Sequence, residues 1–188
     1  ARKVFPDVLK IEDFEPEGQF DKYNSRKEVL SFLLLAEELI VKNIQIVVIS
    51  DHHTIEGVLK LEIAIKLLCQ TKNRNAYPEV ILGIEISCAD KNHVVGIFEN
   101  TDENKQMINR WLEDNLLNLE EGSFETSREV LQFISSLGGI GYIAHLDTSD
   151  TFKENKYLSG AYKQKLFSDE VLHFIGLSNY DSLSYIKS

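Results

Sequence analysis

The stretch "IQIVVISDHHTIEG", Ile44 to Gly57, decides how this chain is read. Its β-branched apolar run reads as a fully buried strand. A polar turn follows, carrying Asp51 and the adjacent pair His52 and His53. Helical spacing then begins in "EGVLKLEIAIKLLCQ". One strand ends in ionisable residues and feeds one helix.

The same alternation recurs on both sides. Upstream, residues 1 to 24 are mixed in periodicity and read mostly as loop. "KVFPDVLKI" is the nearest approach to a strand there, and Pro6 interrupts it. Ser25 and Glu28 form a capping box for a helix over "KEVLSFLLLAEELIVK". That helix is apolar on most faces and is expected to be largely buried. Asn43 can end it in a left-handed cap. Downstream, "NRNAYPE" reads as a loop, and "VILGIEISC" and "HVVGIF" as strands. "ENKQMINRWLEDNLLNL" is a helix, and Thr126 with Glu129 caps another that stops at Gly138-Gly139. "IGYIAH" is a fourth strand, "LSGAYKQKLF" a helix and "VLHFIGL" a fifth strand. Strands alternating with helices predict an α/β fold with a mainly parallel sheet covered on both faces. An open Rossmann-like sheet and a (β/α) barrel both fit. No dinucleotide or P-loop glycine motif supports the first.

The chain has 188 residues and a formal net charge of -10. One domain over residues 1–188 is the expectation. An acidic surface repels phosphates, so a phosphate ligand needs a local positive source, and a bound cation is one. No apolar run reaches the ~20 residues of a membrane span. Two cysteines, Cys69 and Cys88, suggest no disulfide framework, and a cytoplasmic setting is the default.

The polar residues concentrate at strand ends. His52 follows the first strand, Glu85 lies near the end of the second, His93 opens the third and His145 closes the fourth. Strand C-termini converge on the functional face of parallel α/β folds. Imidazoles with a carboxylate form a ligand set for Mn, Zn or Fe. A carboxylate inside "ILGIEIS" needs a cation, a metal or strong donors. Metal-assisted hydrolysis is the chemistry these residue types suggest.

Four segments carry a resemblance. "ISDHHTIEG" resembles the T-D-H-x-T-x-x-G segment of PHP domains, the polymerase and histidinol phosphatase family. "GIEISC", "HVVGIF" and "GGIGYIAHLD" are similar to that family's G-x-E-[IV], H-[LIV]-[LIV]-G-[YF] and G-G-x-x-x-x-A-H-P segments, in the same order. The resemblance implies a distorted (β/α)7 TIM-like barrel and a metal-dependent phosphoesterase with one to three divalent ions. It implies metal ligands at His52, Glu85, His93 and His145 and catalytic roles for Asp51, His52 and His145, with Asp51 orienting a ligand. His53 falls where the family varies and is read as a surface loop histidine with no ligand role. The family's opening H-x-H and closing D-x-H segments are missing, so the barrel is expected to be incomplete. The chain is degenerate, cut short at both ends, or interrupted. His173, inside an apolar strand, is read as a packing residue.

"AHLDTSD…YLSGAYKQKLF" resembles the variant seen in PHP domains attached to AAA or SMC-like ATP-binding proteins. Asp147, Ser149 and Asp150 then either line the site or form a turn. The preferred substrate is a phosphate ester, phosphodiester or nucleic acid, with an ATPase module outside this chain. The alternative is a degenerate scaffold that docks or regulates without catalysis. Trp111 is read as a core or interdomain contact, "EDNLLNLEEGSFE" as a solvated acidic stretch, and Lys163 and Lys165 as a solvated helix face near the site.

Overall fold

The computed structural model of the chain describes residues 21–71, 78–118, 120–147 and 160–179. The expectations for residues 1–20, most of "NRNAYPE", Ser149 and Asp150 lie outside the described residues. Seven strands and five helices follow in order: α1 (Arg26–Val41), β1 (Ile46–Ile49), α2 (Glu56–Thr71), β2 (Glu79–Ser87), β3 (His93–Phe98), α3 (Asp102–Asn115), β4 (Leu116–Asn118), β5 (Gly122–Ser123), α4 (Ser127–Ser136), β6 (Ile140–Ala144), α5 (Gly160–Phe167) and β7 (Phe174–Ile175) among the described residues. They fall into two compact units. One takes the chain up to Val47 and Val58–Val80; the other takes Val48–Gly57 and the chain from Ile81 onward.

In the first unit, Ser25 accepts the Glu28 amide and starts α1 as its sequence requires. Glu28 turns its carboxylate to the Asn24 amide at 2.5 Å and to Lys60 Nζ at 2.8 Å. α1 stops in a Schellman motif. Asn43 takes φ 54, Ile44 N–H bonds Leu39 O and Asn43 N–H bonds Ile40 O. Only Val29, Leu33 and Ala36 of α1 are buried, so the expected burial on most faces is corrected. Leu35 and Val41 stand exposed. α2 supplies Val58, Leu61, Ala64, Ile65, Leu67, Leu68 and Cys69 to the core, a broad buried face along the helix. Tyr23 donates to Lys60 O at 2.6 Å.

The main sheet has the strand order β1-β2-β3-β6-β7 among the described residues. β2 pairs antiparallel with β3, and β3 antiparallel with β6; β6 and β7 run parallel. The expectation of a mainly parallel sheet is therefore corrected. The reason was present in the chain: only Cys88–Asn92 separate β2 from β3, and a parallel crossover needs a dozen residues or more. The fold is α/β, and no closed barrel forms among the described residues. β1 lies at the sheet edge, and Ile46 and Val48 are exposed, not fully buried as expected.

Leu82, Ile84, Ile86, Val94, Phe98 and Ile143 have no more than 3% exposure, as do Leu131 and Ile134 of α4. Each such side chain contributes about 1.5–3 kcal/mol. α4 carries the predicted capping box, with Thr126 and Glu129 satisfying each other's amides. It ends where Gly138, at φ 69, releases Gly139 N–H to Ile134 O. Trp111 stacks on Phe133 with centroids 4.8 Å apart. The acidic stretch after α3 does more than meet solvent, because β4 and β5 pair within it as a small antiparallel hairpin.

Candidate metal centre

The antiparallel turn-back explains how a histidine that opens a strand joins residues that close strands. Ser87, at the end of β2, pairs with His93, at the start of β3. His93 pairs in turn with Ala144, the last residue of β6, directly before His145. On the other side of β2, His52 forms a parallel bridge with Glu85. Four chain segments thus bring His52, Glu85, His93 and His145 to one end of the main sheet.

Their side chains meet at one atom. Glu85 Oε1 lies 2.7 Å from His93 Nδ1, 3.2 Å from His52 Nε2 and 3.3 Å from His145 Nε2. His52 Nε2 and His93 Nδ1 are 3.4 Å apart. One ligand atom each from His52, Glu85 and His93 fits within 4.8 Å. Glu85 is the most enclosed, at 14% side-chain exposure, while His52 is open at 54%. Burial pushes the Glu85 carboxyl up. The hydrogen bond from His93, the charge of His52 and the hydrogen bond from His145 outweigh it and hold the carboxyl below its usual range.

This donor set fits a divalent ion. Two donors each 2.0–2.1 Å from one tetrahedral ion stand about 3.3 Å apart, close to the separations here. A carboxylate oxygen offers two lone pairs and a neutral imidazole one N–H. Three imidazole nitrogens crowding one oxygen are poorly served by hydrogen bonds alone. A cation among them uses nitrogen lone pairs and carboxylate charge together.

Asp51 is placed differently from the imidazoles. Its backbone oxygen accepts the Glu85 amide at 3.0 Å. Its exposed carboxylate lies over Gly57 in the first turn of α2, where an added Cβ would overlap Asp51 Oδ2; a helix N-terminus favours such a charge. His53 is not the surface residue expected. It is buried, at 4% exposure, with φ 57, and its Nε2 accepts the Ser87 amide at 3.0 Å. A histidine in the left-handed region can fold its ring back onto the neighbouring strand, here β2, with which its own amide pairs. His173 is likewise corrected: it is exposed, and its amide and Nδ1 bond the Gly141 backbone at the short β7. Asp147 accepts the Ser178 and Asn179 amides at 2.7 and 2.8 Å, a tie to the chain after β7 and not the local N-cap turn weighed for it. Lys163 is half-buried and Lys165 exposed on α5.

Two residues near the cluster went unremarked in the sequence. Ser87 Oγ faces His93 Nε2 at 3.5 Å. Tyr142 shares Glu85's face through the register Glu85–Val95–Tyr142, and burial, then the Glu85 charge, raises its phenol. Period-2 alternation from Glu85 would have flagged Ser87. Tyr142 needed the pairing.

No model of a known protein family matches the chain. An "Uncharacterized protein" of Streptococcus pneumoniae serotype 4 is 39% identical over 165 residues, which is 85% of this chain. The chain spans 62% of that relative's length. Among solved structures, a "putative metal-dependent phosphoesterase" from Bifidobacterium adolescentis aligns with a TM-score of 0.47 at 14% identity, over 77% of this chain and 70% of that one. No helix among the described residues is long and apolar enough to cross a membrane.

Proposed function

We propose that the chain carries the metal centre of a metal-dependent phosphoesterase of PHP type. The observation that carries this reading is the convergence of His52, His93 and His145 on Glu85 Oε1. His52, Glu85 and His93 would hold a divalent ion, with His145, 3.3 Å from the same Glu85 oxygen, as a further ligand. Such an ion supplies a Lewis acid for a phosphoryl oxygen and acidifies water. The chain's own groups do the rest. Glu85 neutralises ion charge and fixes the imidazoles around one point. The Ser87 hydroxyl, beside His93, would donate to a phosphate oxygen. The open flank at His52 admits a substrate. With a net charge of -10, the chain repels a phosphate overall, and the ion is a local positive source that offsets this.

The finer reading is a phosphodiester or nucleic-acid substrate handled within a larger ATP-binding protein. It draws on the "AHLDTSD" resemblance. A second reading, a degenerate docking scaffold, draws on the missing H-x-H segment and on a tight donor set that stops at three residues among those described. Metal content and hydrolysis of bis-p-nitrophenyl phosphate decide between them. We expect Mn2+ to stimulate turnover, a chelator to stop it and His145→Ala to abolish it. A full-length protein that purifies without transition metal and shows no Mn2+-stimulated hydrolysis would overturn the enzymatic reading.

A further inference from the structure

His53 has no place among the ligands, yet it is one of the few buried polar side chains among the described residues. Its hydrogen bonds explain why. A parallel ladder between the end of β1 and β2 proceeds in a fixed order: the β2 amide to one carbonyl, the next amide back to β2, then the following β2 amide to the next carbonyl. The first two steps are present. Glu85 N–H donates to Asp51 O at 3.0 Å, and His53 N–H donates to Glu85 O at 2.9 Å. The third step would take Ser87 N–H to the His53 carbonyl. It goes instead to the His53 ring, at Nε2, at 3.0 Å.

The substitution follows from the backbone. At φ 57 the chain leaves the strand direction at His53, so its carbonyl no longer continues the ladder. A non-glycine residue seldom adopts this conformation, and histidine is among those that tolerate it. The imidazole reaches back and serves as the missing acceptor. That spends the Nε2 lone pair on an amide, so this nitrogen is not available to an ion.

We propose that His53 is a positioning residue for the metal centre, its ring completing the β1–β2 ladder in place of its own carbonyl. It thereby holds three neighbours at once: His52 before it, Glu85 through the backbone, and Ser87, whose hydroxyl faces His93 Nε2. The proposal rests on the metal-centre reading and gives it a support that the ligand set alone does not contain. Removing such a support typically weakens ion binding by about 10–100-fold.

Two variants separate the ring from the backbone. His53→Gly accepts the left-handed conformation and lacks the acceptor. His53→Gln offers a side-chain oxygen at a similar reach. Mn2+ alone is titrated calorimetrically into each full chain, with His52→Ala as a control for ligand loss. In the same metal-free samples, exchange of the Ser87 amide and the ring signals of His52 and His93 are followed by NMR. We expect Gly to weaken Mn2+ binding about 10-fold, to expose the Ser87 amide and to shift both rings, and Gln to recover much of each. A folded His53→Gly chain with unchanged affinity and unchanged rings overturns the proposal. A wild-type chain that binds no Mn2+ overturns the metal reading instead, and the metal-free ring and amide signals then still decide the ladder role.

Discussion

Glu85 and Asp90 lie on the same β2–β3 hairpin, five residues apart in sequence, and are satisfied in opposite ways. Asp90 receives a separate neutral donor in each of three directions. The Ser127 amide and hydroxyl reach it at 3.2 and 2.7 Å, and the Tyr162 hydroxyl at 2.6 Å. It also faces the first residue of α4, where a negative charge is favoured. Asn92 backs the group by donating to Ser127 Oγ at 3.0 Å. Nothing more is needed there. Glu85 has three imidazole nitrogens on a single oxygen, an arrangement that hydrogen bonds fill badly and a cation fills well. One carboxylate is a structural tie; the other is a vertex of a binding site. Carboxylate burial alone does not separate the two roles. The number and kind of donors per oxygen does.

Four substitutions test how differently the two carboxylates are used. Glu85→Gln should cost the most function: Mn2+ affinity falls by about 100-fold or more, with a smaller loss of stability in urea than Asp90→Ala. Asp90→Ala should do the reverse, stranding buried donors on Ser127 and Tyr162. Its cost is about 3 kcal/mol in urea unfolding. Equal stability losses in the two variants would erase the distinction. Gly122→Ala probes what presses on the Glu85 end of β2. Gly122 has φ 85, and an added Cβ would stand 2.5 Å from Ser87 O, so a loss of about 2 kcal/mol is expected by the same assay.

Tyr162→Phe should have the smallest effect, about 1 kcal/mol near neutrality, and a pH signature. Burial first, then the hydrogen bond to Asp90 and its charge, holds the phenol above its ordinary 10.0. Above that value the unfolded chain loses the proton and the folded one keeps it. Wild-type stability should therefore be full below pH 10 and decline above it. The Phe variant should show a flatter alkaline limb in urea midpoints measured across that range.

Much of this was legible in the chain. Ser25, Asn43, Thr126 and Gly138 announce helix ends because capping is local chemistry between residues a turn apart. Four of the site's residues stand out because ionisable groups interrupt apolar strands. Strand direction was less legible: β-branched runs look alike in parallel and antiparallel sheets, and the brevity of Cys88–Asn92 was the cue to weigh. His53 was the least legible. Its neighbour His52 has the same residue type, and nothing in composition or period tells a ligand from a ring that mimics a carbonyl.

By itself, then, the sequence determined where helices begin and stop, which strands carry polar ends, and that imidazoles and one carboxylate gather there. These are properties of residue type and short spacing. Tertiary structure decided that β3 turns back on β2, so that His93 meets Ser87, and that three nitrogens share Glu85 Oε1. It also decided that the second histidine of "DHH" faces inward to the Ser87 amide. Those outcomes depend on register and on one left-handed residue, and register is settled only when strands distant in sequence pair.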